Sequence, residues 1–132
     1  MKPIEYLSLA KQLNEAPATE VKVRTAISRA YFYVLLEIRT DLEKFGVKFM
    51  KGIESHKEVE NILSKAGEEK EVEIVISKLR DFKKKRNDAD YELDMDCFEY
   101  PTDEAKLAIM EAERVIENYS SINKSILIKL KK

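Results

Sequence analysis

The stretch "KKKRNDADYELD", residues 83–94, holds the side chains best placed to do chemistry. Arg86 follows Val72, Val75, Leu79 and Phe82 at steps of 3, 4, 3 and 4, and Ala89 continues the count. That spacing puts the arginine on the stripe a helix turns toward its core, or on the rim of that stripe. An unpaired guanidinium there costs several kcal/mol, so it must meet carboxylates, carbonyls or a phosphate. The residues leave two readings open. One is an internal ion pair with Asp88, Asp90 or a glutamate of another helix. The other is a phosphate-facing arginine, whose rigid fork matches phosphate oxygens. Lys83, Lys84 and Lys85 surround it with flexible positive charge. By itself such a run is an ordinary solvated helix end, and it lacks the interleaved aromatics of a single-strand binder.

Acids follow at once. Asp88, Asp90, Glu92, Asp94 and Asp96 alternate with Ala89, Tyr91, Leu93, Met95 and Cys97. Negative charge at a helix C-terminus opposes the dipole, so the helix is expected to fray between Asn87 and Tyr91. The alternation beyond suggests an extended connection with one side laid on the protein. Counted from Asp88, the acids also fall on several ligand positions of a calcium loop. The sharp-turn glycine of such a loop is replaced by Leu93, which argues against calcium. His56 is the single histidine and sits in "SHKE", a capping-box pattern, as a helix-surface residue. No Cys/His set suits zinc, no glycine-rich loop suits a phosphate, and no serine has a nearby base partner. Neither metal nor cofactor is expected.

These residues need elements to position them. With 132 residues, one domain spanning 1–132 with one hydrophobic core is the simplest organisation. Charged residues make up 37% yet nearly cancel to a net of −1, so any pull on an anionic partner must come from a local patch. Cys97 is alone and forms no internal disulfide; a buried, inert thiol is expected. No apolar run approaches the ~18 residues of a membrane span, and the start lacks a secretory core. A soluble, cytoplasmic protein with no membrane partner is the expectation.

Pro3 precedes a short amphipathic helix with Ile4, Leu7 and Ala10 or Lys11 on one side. Pro17 and Thr19 open a second, whose stripe is Val23, Ile27, Ala30, Val34, Ile38, Leu42 (or Asp41) and Phe45, and Gly46 ends it. Its middle, "AYFYVLLEI", is apolar nearly all round, as in the central helix of a bundle. A third helix runs from Ser55 to about Ala66, stopped by Gly67. The fourth begins in glutamates and ends in the lysines and Arg86, the order the helix dipole favours. The last starts after Pro101, with Ala108, Ala112, Val115, Tyr119, Ile122 and Ile126 as its stripe, and is expected to reach residue 130. The fold class expected is all-α: an antiparallel up-and-down bundle of four to five helices.

Three segments together resemble the HEPN family: "AISRAYFYVLLEIRTDLEKFG" (26–46), "SHKEVENIL" (55–63) and "LRDFKKKRNDADYELD" (79–94). The similarity is to the prokaryotic branch with an "SRAYY" helix and an R-x-x-A-D-Y segment, here Ser28 to Phe32 and Arg86 to Tyr91. The resemblance implies a small helical bundle that binds nucleotide or RNA and pairs as a homodimer. It also implies a minimal nucleotidyltransferase as protein partner. Many members are metal-independent ribonucleases of toxin–antitoxin pairs, marked by an arginine, a polar residue and, after four to six residues, a histidine. Arg86 and Asn87 match the first half. The three positions open to the histidine hold Tyr91, Glu92 and Leu93. Free tyrosine titrates near ~10, far from the range a general base needs at neutral pH. The expectation is therefore a module with little or no catalysis that offers Arg86, Asn87, Tyr91, Lys83 and Lys84 to phosphate. A ribonuclease toxin and a purely structural oligomerisation bundle are the alternatives.

Overall fold

Thr19 starts the longest helix, its hydroxyl accepting from the Lys22 amide at 3.3 Å. Such a cap satisfies one of the amides a helix start leaves bare. The computed structural model describes residues 1–15, 19–50, 55–67, 69–93 and 101–130, without the side chains of 101 and 102. Its helices are α1 (Ile4–Leu13), α2 (Glu20–Lys44), α3 (Ser55–Ser64), α4 (Lys70–Tyr91), α5 (Pro101–Ser120) and α6 (Lys124–Lys129). Gly46 and Gly67 follow α2 and α3 with φ of 95° and 74°, a left-handed stop that a Cβ would strain. Cys97, Pro17 and the acids Asp94 and Asp96 lie outside the described residues.

The architecture is the expected all-helical bundle, with α2 at its centre packed against α1, α3, α4 and α5. Val23, Ile27, Ala30, Val34, Ile38 and Leu42 are all buried, and so are Tyr31, Tyr33 and Leu35 on the flanks of that stripe. The nearly all-apolar middle of α2 is thus covered on several sides. The stripe of α4 buries Val72, Val75, Leu79, Phe82 and Ala89. On α5 the facing residues are Ala105, Ala108 and Ala112, small enough to bring its backbone close to α2. Among the described residues no helix is long and apolar enough to cross a membrane.

Three local expectations change. The last helix divides at Ser121–Asn123, where the Asn123 side chain accepts from the Ser125 amide at 2.9 Å and starts α6. The apolar stripe continues through the break, since Ile122, Leu127 and Leu130 are all buried. Second, Ser55 and Glu58 do not close a reciprocal capping box. The Ser55 hydroxyl accepts from Arg39, and Glu58 accepts from the Met50 amide at 3.3 Å. Third, α4 stays helical through the interval from Asn87 expected to fray and ends at its far limit, Tyr91. Arg24 of α2 is the cause. Its guanidinium donates to the carbonyls of Asp88 at 3.2 Å, Ala89 at 2.9 Å and Leu93 at 3.3 Å. A positive group on the last carbonyls offsets both the bare acceptors and the acids beside them.

At the far end of α2, Tyr119 of α5 donates to Asp41 at 2.7 Å. Burial, then that hydrogen bond and the Asp41 charge, push the phenol well above its usual value of 10.0. A folded-state pKa raised this way adds stability below the unfolded value and loses it above. Each pH unit past ~10 is expected to remove about 1.4 kcal/mol through this group until the folded pKa is reached. Urea unfolding at pH 9 to 11 checks it: Tyr119→Phe is expected to flatten the alkaline decline, and an unchanged slope would refute the assignment.

Candidate functional site

On α4, Arg80, Lys83 and Arg86 recur at steps of three, which keeps them near one face at roughly 4.5 Å intervals along the axis. Across from them lie the middle of α2 and the start of α3. Between these helices opens a cleft of about 240 Å³ lined by Tyr31, Phe32, Leu35, Leu36, Ser55, His56, Lys83 and Arg86. Lys83 and His56 also border a second, shallower groove of about 480 Å³, together with Lys57, Glu60, Asn61 and Arg80. One side chain of each type therefore joins two adjoining depressions.

Arg86 sits on the rim of the stripe, with its side chain 22% exposed. It has an internal partner. Nε lies 2.9 Å from Oδ2 of Asp90, one turn along the helix, at an angle outside hydrogen-bond geometry. Nη1 donates to the Asn87 Oδ1 at 3.0 Å. The guanidinium carbon stands over the rings of Phe32 at 5.2 Å, Tyr31 at 5.9 Å and Tyr91 at 5.9 Å. The ion-pair reading and the cleft-facing reading thus hold at once: Asp90 holds one edge of the fork while the group still borders the cleft.

The other sequence candidates separate. Lys83 reaches the cleft and Asn87 braces Arg86. Tyr91 is 69% exposed and touches the site only through the Arg86 guanidinium. Lys84 is exposed and borders neither depression. Among the described residues no group of three or more His, Cys, Asp or Glu is placed to hold a metal ion.

His56 is where sequence reasoning fell short. It is buried rather than on the surface, at 4% exposure. Nδ1 is 2.6 Å from the Tyr31 hydroxyl and Nε2 is 3.2 Å from Oε2 of Glu60, which in turn pairs with Arg80. The order carboxylate, imidazole, hydroxyl is that of a proton relay, with Glu60 fixing the ring and Tyr31 at the cleft end. The tautomer that satisfies both contacts carries its proton on Nε2 and accepts the Tyr31 hydroxyl on Nδ1. Both ring nitrogens are occupied within the fold, and Tyr31 itself is 2% exposed.

Ser28 braces Asp90 from α2, donating to its Oδ2 at 3.4 Å. Arg24, Ser28 and Tyr31 lie at steps of 4 and 3 along α2. That is the count of its apolar stripe, and it was the signal in the sequence for a polar seam facing α4.

No family model matches the chain, and neither a curated protein nor a solved structure matches it.

Proposed function

We propose that the chain is a HEPN-like helical module that binds the phosphate of a nucleotide or of RNA at the cleft of Arg86 and Lys83. One observation carries this reading. Arg86 is held by Asp90, Asn87 and three aromatic rings, yet keeps an edge on a depression shared with a lysine. A guanidinium fixed this way has less freedom to lose when an anion docks. The cleft is smaller than the roughly 300–1,000 Å³ of sites that enclose a whole ligand. It suits a phosphate and its sugar reaching in from a molecule lying across the surface. A homodimer and a minimal nucleotidyltransferase partner belong to the same proposal, and the exposed Tyr91 against Arg86 and the exposed Leu93 just after α4 are apolar surface that a second subunit would cover.

Fluorescence titration of a short single-stranded RNA at several salt concentrations tests it. Arg86→Ala is expected to weaken binding about tenfold and to reduce the salt slope by about 0.7, the loss of one phosphate contact. Lys84→Ala is expected to leave both nearly unchanged, since Lys84 borders neither depression. Binding that is indifferent to Arg86→Ala would end the proposal.

A metal-independent ribonuclease is the second reading, and His56 favours it. The imidazole that the arginine motif lacks in sequence arrives from α3 and lines the same cleft as Arg86. Against it stand the two occupied ring nitrogens, which leave no atom ready to take a proton from RNA. Binding without efficient cleavage is the better account.

A further inference from the structure

We infer that Arg29 is a second anion-binding residue and that the site takes two adjacent phosphates; this rests on the phosphate reading above. Arg29 lies on α2, three residues before Phe32. Its guanidinium carbon is 5.0 Å from the Phe32 ring centroid, and that of Arg86 is 5.2 Å from the same centroid. Two guanidinium groups therefore approach one aromatic side chain, Phe32, which itself lines the cleft.

The surroundings of Arg29 differ from those of four of the other five arginines; the exposed Arg114 on α5 likewise has no carboxylate within 4.0 Å among the described residues. Arg24, Arg39, Arg80 and Arg86 each sit within 4.0 Å of a carboxylate, respectively Glu20, Glu43, Glu60 and Asp90. Arg29 has no carboxylate at that distance among the described residues. Its one hydrogen bond to a described residue runs from Nη2 to the Ser28 hydroxyl at 3.3 Å. Its Nε is buried without a hydrogen-bond acceptor among the described residues, as are those of Arg24 and Arg86. Otherwise the group rests on the rings of Tyr6, at 5.7 Å, and Phe32.

Fold stability alone explains this poorly. Cation–π contacts at such a partly exposed position contribute modestly, and a buried donor without an acceptor costs about as much. The charges are unbalanced too. Among the described residues, Asp90 is the one acid that serves both Arg86, directly, and Arg29, through the Ser28 hydroxyl. One negative group among two fixed guanidiniums leaves a surplus positive charge. An anion bridging Arg86 and Arg29 would neutralise that surplus. A single phosphate held by Arg86 leaves Arg29 to a neighbouring one. The chemistry implied is a pair of consecutive phosphates, supplied either by a nucleoside diphosphate or by successive linkages of an RNA strand.

Calorimetric titration decides the matter with two matched pairs of probes: AMP against ADP, and the dinucleotide ApA against its 5′-phosphorylated form. In the wild-type chain the second phosphate is expected to strengthen binding about tenfold in at least one pair, and that pair identifies the source. Arg29→Ala is expected to erase the gain while leaving the one-phosphate ligand within about threefold of wild type. Arg29→Lys keeps the charge and the aliphatic stem, loses the fork, and is expected to retain part of the gain; it also reports if the alanine variant unfolds. Arg86→Ala weakens both members of each pair. A gain that survives in Arg29→Ala, or no gain in the wild type, overturns the two-phosphate site and leaves the phosphate reading standing. Failure of the wild type to bind any of the four probes overturns both.

Discussion

Replacing Arg24 with methionine is expected to lower folding stability by about 3 kcal/mol, with a fall in Tm of about 10 °C. The side chain is 6% exposed, and it donates to three described carbonyls, two in α4 and one just beyond it. Methionine fills much of the same space, so the loss measures the bonds rather than a cavity. The Ala89 carbonyl would be left buried without its donor, and α4 would lose the positive group that offsets Asp88 and Asp90. Arg24→Lys keeps the charge but cannot reach three carbonyls from one planar fork, and is expected to fall between wild type and Arg24→Met. Chemical unfolding followed by circular dichroism reads all three chains. Hydrogen exchange adds a local signature: amides at the end of α4 should lose protection before those of its middle. Equal stability of Arg24→Met and wild type would show that the helix end is held by something else.

Arg24 also explains what could and could not be read from the residues. Apolar periodicity placed α2 and α4 and their buried faces, because burial of a stripe depends mainly on spacing along one helix. The continuation of α4 through Asp88 and Asp90 depends on a cation sixty-odd residues away, and no count along α4 contains it. The break before α6 was hidden for the opposite reason. Ile122 keeps the helical rhythm across the gap, while the cap at Asn123 is a single polar side chain. At the site, Arg86 stood out because it violates its stripe. His56 did not, since a histidine one residue into a helix conforms to the surface pattern. Its burial follows from where α3 docks on Tyr31, a tertiary fact. Arg29 lies in the Ser28–Phe32 segment, where residue type and spacing give it no role. Only its distance to the ring that Arg86 also covers gives it one.

His56→Ala separates a structural imidazole from a catalytic one. On the binding reading, His56 is part of the scaffold that fixes the cleft wall. Its loss leaves the Tyr31 hydroxyl and one Glu60 oxygen without their partner at 4% exposure and opens a void. A stability loss of about 2–3 kcal/mol is then expected, with RNA affinity at a temperature where the variant is folded within about threefold of wild type. Tyr31→Phe removes only the hydroxyl and is expected to cost about 1 kcal/mol, again with affinity preserved. If the relay works as an acid–base device, both variants should instead reduce RNA cleavage in the presence of a chelator. The reduction would be about 10²–10⁴-fold, the size of a lost general acid or base, while binding stays intact. The two outcomes share no ambiguous middle, because cleavage by the wild-type chain must first be seen. A wild type that binds RNA and never cuts it assigns Tyr31, His56 and Glu60 to holding α3 against α2, and Arg86 to the phosphate alone.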